Sequence, residues 1–106
     1  MGRADLEAAI QLDAANAVAH YELGNLLALL GEYAKALKEF EIALENDYWK
    51  PHIAYAGMAF CFLKLGMNEE AKEAAKTSLL IAPEDEYARE ILREIENDQP
   101  PDGIGV

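Results

Sequence analysis

The chain has 106 residues, 52% of them hydrophobic, with nine basic against twenty acidic side chains and a formal net charge of -11. That length and composition suit one folded domain with a modest core and argue against wholesale disorder. The acidic excess argues against a nucleic-acid binder, because that affinity rests on Lys and Arg neutralising phosphates, and the same field repels anionic membrane lipid and favours basic partners.

Residues 4 to 13 carry Leu6, Ala9, Ile10 and Leu12 among polar neighbours, a helical pattern that ends at Asp13-Ala-Ala-Asn16. Asn16 is a good N-cap for a helix over about 17 to 30, and Gly31 supplies its stop. This second helix is apolar almost all round, so it is either covered on every side or lines a surface meant to be covered. The helix over about 33 to 46 differs. Leu37, Phe40, Ala43 and Leu44 share one face, while Lys35, Lys38, Glu39, Glu41 and Glu45 form a solvated remainder in which Lys35 and Glu39 can pair weakly.

The turn Asp47-Tyr-Trp-Lys-Pro51 leads into a second pair of helices, and Gly66 follows Gly31 by 35 residues. With His52 at the head of this pair, Tyr55, Met58, Ala59 and Phe62 lie on its first helix, and Ala71, Ala75 and Ser78 on its second. Asn68 is the expected N-cap of that second helix, with Glu69 and Glu70 in the first turn where the helix dipole favours carboxylates. Pro83 ends it. Asp85 can cap a last helix over 86 to 97, with Ile91, Leu92 and Ile95 inward and Arg89, Glu90, Arg93, Glu94 and Glu96 outward. Residues 99 to 106 have no periodicity and are expected to be disordered.

Cys61 is the only cysteine, so no intrachain disulfide can form; in an apolar run without basic neighbours it reads as a buried, inert thiol. No apolar run approaches the roughly 20 residues of a membrane span. The opening Arg3-Ala-Asp-Leu-Glu7 starts an amphipathic helix rather than a signal-peptide core, which makes a cytoplasmic location the default expectation.

Between His20 and Ala43, small residues (Gly24, Ala36, Ala43) alternate with large ones (Leu23, Leu27, Tyr33, Phe40), the pattern of a tightly packed helical hairpin. With its Leu23-Gly24 pair, Tyr33 after the turn, and Ala36, Phe40 and Ala43 beyond, this stretch resembles the tetratricopeptide repeat, a helix-turn-helix unit of roughly 34 residues. His20 stands where the family usually has Trp, and Tyr48 where it usually has Pro. The extra residue of the 35-residue spacing belongs in the Asp47 to Pro51 turn. Asn68 and Ala75 replace the aromatics seen as Tyr33 and Phe40, so the second hairpin should pack less tightly unless something else fills the space.

The resemblance implies an all-α fold, with tetratricopeptide hairpins stacked in a right-handed superhelix and closed by a C-terminal capping helix. Its parts would be a partial repeat at 1–16, repeats at 17–50 and 52–85, and a capping helix at 86–97, all within one domain over 1–98. If the chain is complete, it begins in mid-unit.

Enzyme signatures are absent. Gly103-Ile-Gly105 precedes no helix and so has no context for binding a cofactor, and none is expected. His20 and His52 have no Cys or second His at ligand spacing, so no metal site is expected. Glu69, Glu70 and Glu73 lie on an open helix face, without the burial that tunes a carboxyl for acid catalysis.

The resemblance implies a non-catalytic scaffold for protein–protein interaction whose first helices line a concave groove. Val18, Tyr21, Glu22, Asn25 and Leu29 would project there from one unit, and Ile53, Ala56, Gly57, Phe60 and Lys64 from the next. Such a groove suits a helix or extended peptide of a partner protein, basic and partly apolar. One branch of the family holds chaperone C-termini in a clamp of Lys, Asn and Arg. Asn25 matches one clamp position, but Tyr21, Gly57, Tyr87 and Ile91 occupy the others, so chaperone-tail binding is not expected. The alternative is a structural role in a homo-oligomer, assembled through Leu6, Ile10 and Leu12 on the open half-repeat.

Overall fold

The computed structural model describes residues 2–98. They form α1 (Arg3–Leu12), α2 (Ala17–Leu29), α3 (Tyr33–Glu45), α4 (Pro51–Lys64), α5 (Asn68–Ile81) and α6 (Glu86–Asp98). The expected disorder of the C-terminal tail lies outside the described residues.

Backbone geometry sets the helix ends. Asn16 Oδ1 accepts the Ala19 N–H at 3.0 Å and starts α2. At its other end Gly31 adopts φ +82°, and the Glu32 N–H reaches back to the Leu27 carbonyl at 2.9 Å. This left-handed stop satisfies carbonyls that the helix leaves unpaired. Gly66 repeats it with φ +78° and a Met67 N–H bond to the Phe62 carbonyl at 2.9 Å. Asp47 takes the glycine's place after α3, with φ +57° and the Tyr48 N–H on the Ala43 carbonyl at 3.0 Å. Pro51 opens α4 in the first turn, where its missing N–H costs nothing. Asp85 Oδ1 accepts the Tyr87 N–H at 3.0 Å and starts α6.

One cap differs from expectation. Asn68 lies inside the first turn of α5, and the cap position falls to Met67, which makes no side-chain cap bond. The reason is the Gly66 stop: it ends α4 and positions Met67 so tightly that the following residue is already helical. Glu69 and Glu70 do occupy the first turn.

Neighbouring helices pack pairwise: α2 on α3, α4 on α5, α1 against α2, α3 against α4, and α6 against both α4 and α5. Phe40, only 1% exposed, is central to the larger core cluster with Leu6, Leu23, Leu27, Ala36 and Leu37. A Cβ placed on Gly24 would lie 2.9 Å from the Phe40 ring, and one on Gly57 would lie 2.7 Å away. Phe40 is therefore gripped between its own hairpin and the next. Gly57, expected only as a groove position, leaves the room that the Phe40 ring needs against α4.

The second hairpin has no such ring. Ala71, Ala74 and Ala75 instead meet Ile91 and Ile95 of α6, so the capping helix fills the space left by the absent aromatics. Ser78, fully buried, donates its hydroxyl to the His52 carbonyl at 2.7 Å and ties α5 to the start of α4. Cys61 is fully buried, and burial pushes its thiol up to about 11.

One charged residue of α3, Glu39, departs from the solvated face expected for it, and Lys35, which stays exposed, takes another partner. Glu39 Oε1 contacts Nδ1 of buried His20 at 2.6 Å, while Nε2 of the same ring donates to the Ala14 carbonyl at 2.8 Å. His20 thus pins α2 to both α3 and the preceding turn, which explains a His where packing alone would accept an aromatic. Lys35, denied Glu39, pairs with Glu32 at 3.3 Å, and Arg3 reaches Glu32 from α1 at 3.0 Å. The hydrogen bond from Lys35, helped by the charge of Arg3, holds the Glu32 carboxyl below its usual range.

Candidate protein-binding groove

The side chains that α2 projects away from α3 start the groove. Tyr21 is half-buried: its ring stacks on Tyr48 at 4.7 Å and 11°, and tilts against Phe40 at 5.6 Å. Tyr48 can do this because the turn after Asp47 folds it into a small cluster with Ala43 and Ala54. Burial raises the Tyr21 hydroxyl and pushes that of Tyr48 up to about 12, with the nearby charge of Glu22 acting in the same direction on both. Beside this stack, Glu22, Asn25, Leu26 and Leu29 join Tyr21 and Leu6 around a depression of about 390 Å³.

A second depression of about 440 Å³ adjoins it. Asn25 and Leu29 line one side, Phe60 and Lys64 of α4 another, and Tyr87 comes in from α6. Asn25 and Leu29 belong to both depressions, so the two form one trough running from α1 to α6. Tyr33 meets Phe60 edge-on at 6.0 Å, and Lys64 Nζ stands 5.5 Å from the Phe60 ring centre. Rings held this way present apolar area without rotamer freedom to lose, and the cation over the ring adds a charged end. Glu22 and Lys64 are the charged side chains along the trough.

Seven of the ten residues expected in the groove, Tyr21, Glu22, Asn25, Leu29, Gly57, Phe60 and Lys64, line this trough, while Ala56 is fully buried. Val18 is 44% exposed but lies outside it, and Ile53 packs instead against the Ala43, Tyr48 and Ala54 cluster. Tyr87, met in the sequence only as a departure from the chaperone clamp, is a lining residue, and Ala28, Tyr33 and Phe40, read as helix or hairpin packing positions, join it. On the N-terminal edge, Leu6 is 2% exposed and Ile10 packs against the same core, which leaves Leu12, 90% exposed, as the open residue of the three.

Among the described residues, no three His, Cys, Asp or Glu side chains gather where they could hold a metal ion, and no helix is long and apolar enough to cross a membrane.

The tetratricopeptide repeat model matches residues 17–48 and again 53–85. The chain belongs to the tetratricopeptide repeat family. Its fold is similar to the second such domain of human RPAP3, solved by NMR in complex with the HSP70 peptide SGPTIEEVD. That likeness has a TM-score of 0.79 at 26% identity and covers 86% of this chain and 75% of that one. The tetratricopeptide domain of Arabidopsis OM64 is similar in fold, with a TM-score of 0.82 at 20% identity over 89% of this chain and 77% of that one. Comparison with curated proteins returns no match. Tetratricopeptide hairpins are in general non-catalytic modules, and membership of the family makes this chain a protein-interaction scaffold.

Proposed function

We propose that this tetratricopeptide protein binds a peptide or helix of a partner protein in the trough between α2, α4 and α6. The observation that carries the reading is the sharing of Asn25 and Leu29 between two adjoining depressions, which makes one surface long enough for several residues of peptide. Phe60, Tyr33 and Tyr87 offer apolar area, while the Asn25 amide can pair with a peptide main chain. The likeness to the RPAP3 domain, which holds a nine-residue peptide, supports a peptide as the class of ligand.

The partner peptide differs in charge from that acidic one. A chain with net charge -11 attracts basic segments and repels acidic ones, and Tyr21, Gly57, Tyr87 and Ile91 stand where a carboxylate clamp needs basic or amide side chains. Titration with SGPTIEEVD and with a lysine-rich, leucine-containing peptide of equal length tests this. The basic peptide should bind more tightly, and Phe60→Ala with Tyr87→Ala should weaken it about tenfold or more, the usual effect of truncating aromatic anchors. Unchanged affinity in that folded double variant rules the trough out.

A further inference from the structure

Helix α4 is open on its other side as well. At about 3.6 residues per turn, Tyr55, Met58 and Phe62 share a face opposite to Gly57, Phe60 and Lys64. The first three are part-buried and line a separate depression of about 420 Å³. Its far wall is α5, where Ala74 faces Tyr55 and the carboxylates of Glu69, Glu70 and Glu73 form the rim.

The corresponding place in the first unit is closed. Shifted back by the 35 residues between Gly66 and Gly31, Tyr55 becomes His20 and Ala74 becomes Glu39, the pair that bridges at 2.6 Å. Met58 and Phe62 become Leu23 and Leu27, which are 6% and 3% exposed. Glu70 and Glu73 become Lys35 and Lys38. The second unit has thus lost the bridge, opened its apolar floor and reversed the charge of the rim. Among the described residues, no ion pair engages Glu69, Glu70 or Glu73, and Lys72 and Lys76 of the same helix do not line the pocket.

We propose that this pocket is a second docking surface, taking a partner segment that sets one large apolar side chain between lysines or arginines. The apolar side chain covers Tyr55, Met58 and Phe62, and the flanking cations meet the three carboxylates. Exposed pairs of this kind contribute little each and are screened by salt, so the anchor supplies most of the affinity and the rim selects the sequence. Because the surface lies across α4 from the trough, two segments can be held at once.

The probe is an acetylated, amidated pentapeptide with Phe at its centre and two lysines on either side, titrated into the full chain and followed by NMR. Signals of Met58 and Thr77 should move, and should move equally in the folded Phe60→Ala, Tyr87→Ala variant, in which the trough has lost its anchors. Glu70→Lys with Glu73→Lys, which copies the first unit's Lys35 and Lys38, should weaken binding about fivefold or more, as expected for exposed pairs turned repulsive. Raising salt from about 0.05 to about 0.5 M should act in the same direction. Both positions are exposed, and circular dichroism of the double variant checks that it folds. Shifts confined to Asn25 and Lys64, equal affinity for the reversed variant, or no shift at millimolar peptide would each overturn the second surface, the first of these while leaving the trough intact.

Discussion

The two hairpins reach one backbone arrangement with different fillings. In α2–α3 an aromatic ring, Phe40, presses against glycine on both sides, and the hairpin carries most of its own core. In α4–α5 three alanines leave the space open, and α6 closes it with Ile91 and Ile95. The lesson is that the small positions of the repeat prescribe how closely helices approach, while the atoms that fill what remains can come from the same unit or from the next element. The first hairpin is defined from within; the second depends on its cap.

This difference can be broken at its centre. Phe40→Ala should cost about 3–5 kcal/mol, the range for emptying a large buried aromatic site, read as a lowered denaturant midpoint. A loss below about 1 kcal/mol would mean that the ring is not the wedge described here. Gly57→Ala attacks the same contact from the facing helix. A Cβ 2.7 Å from the ring forces Phe40 or α4 to shift, and overpacking of this kind costs about 1–3 kcal/mol in a thermal or chemical melt. Combining it with Phe40→Leu should recover part of the loss, because the smaller side chain makes room; a purely additive result argues against a shared contact.

A smaller effect sharpens the contrast in polar terms. Glu39→Ala leaves a buried His20 nitrogen without its partner and should cost about 1–2 kcal/mol, towards the low end for such groups because Glu39 is itself 21% exposed. The second hairpin already carries Ala74 at the equivalent position, facing Tyr55, and needs no partner there. An unchanged midpoint in Glu39→Ala would show that the bridge adds nothing to the first hairpin.

Much of this was legible in the residues, and the exceptions have physical causes. Gly31 and Gly66 marked helix ends because the left-handed stop needs them, and Asn16 and Asp85 marked helix starts because nothing upstream competed for the cap. Asn68 failed as a cap because the preceding stop, a two-residue event, had already fixed where α5 begins. Glu39 looked solvated because helical periodicity sees only its own helix, while its partner His20 sits 19 residues away across the hairpin. Gly57 offered no side chain to interpret, and its role appears only once Phe40 is seen against it. The α2 side of the groove followed from the family resemblance together with an unusually apolar helix. Tyr87 entered only as a residue that breaks the chaperone clamp, because the use of its ring in the trough depends on how α6 settles over α4 as well as α5.

The ring of Phe40 has one more consequence. In a linear array, stability divides into what each unit supplies alone and what neighbours supply by coupling. Phe40 contributes to both, since it packs within its hairpin against Gly24 and across the boundary against Gly57. A side chain counted twice links the two halves into one cooperative transition, so that amide exchange in either hairpin reports the opening of both. Its removal lowers cooperativity together with stability, leaving two hairpins that open independently on a backbone that still has the same turns.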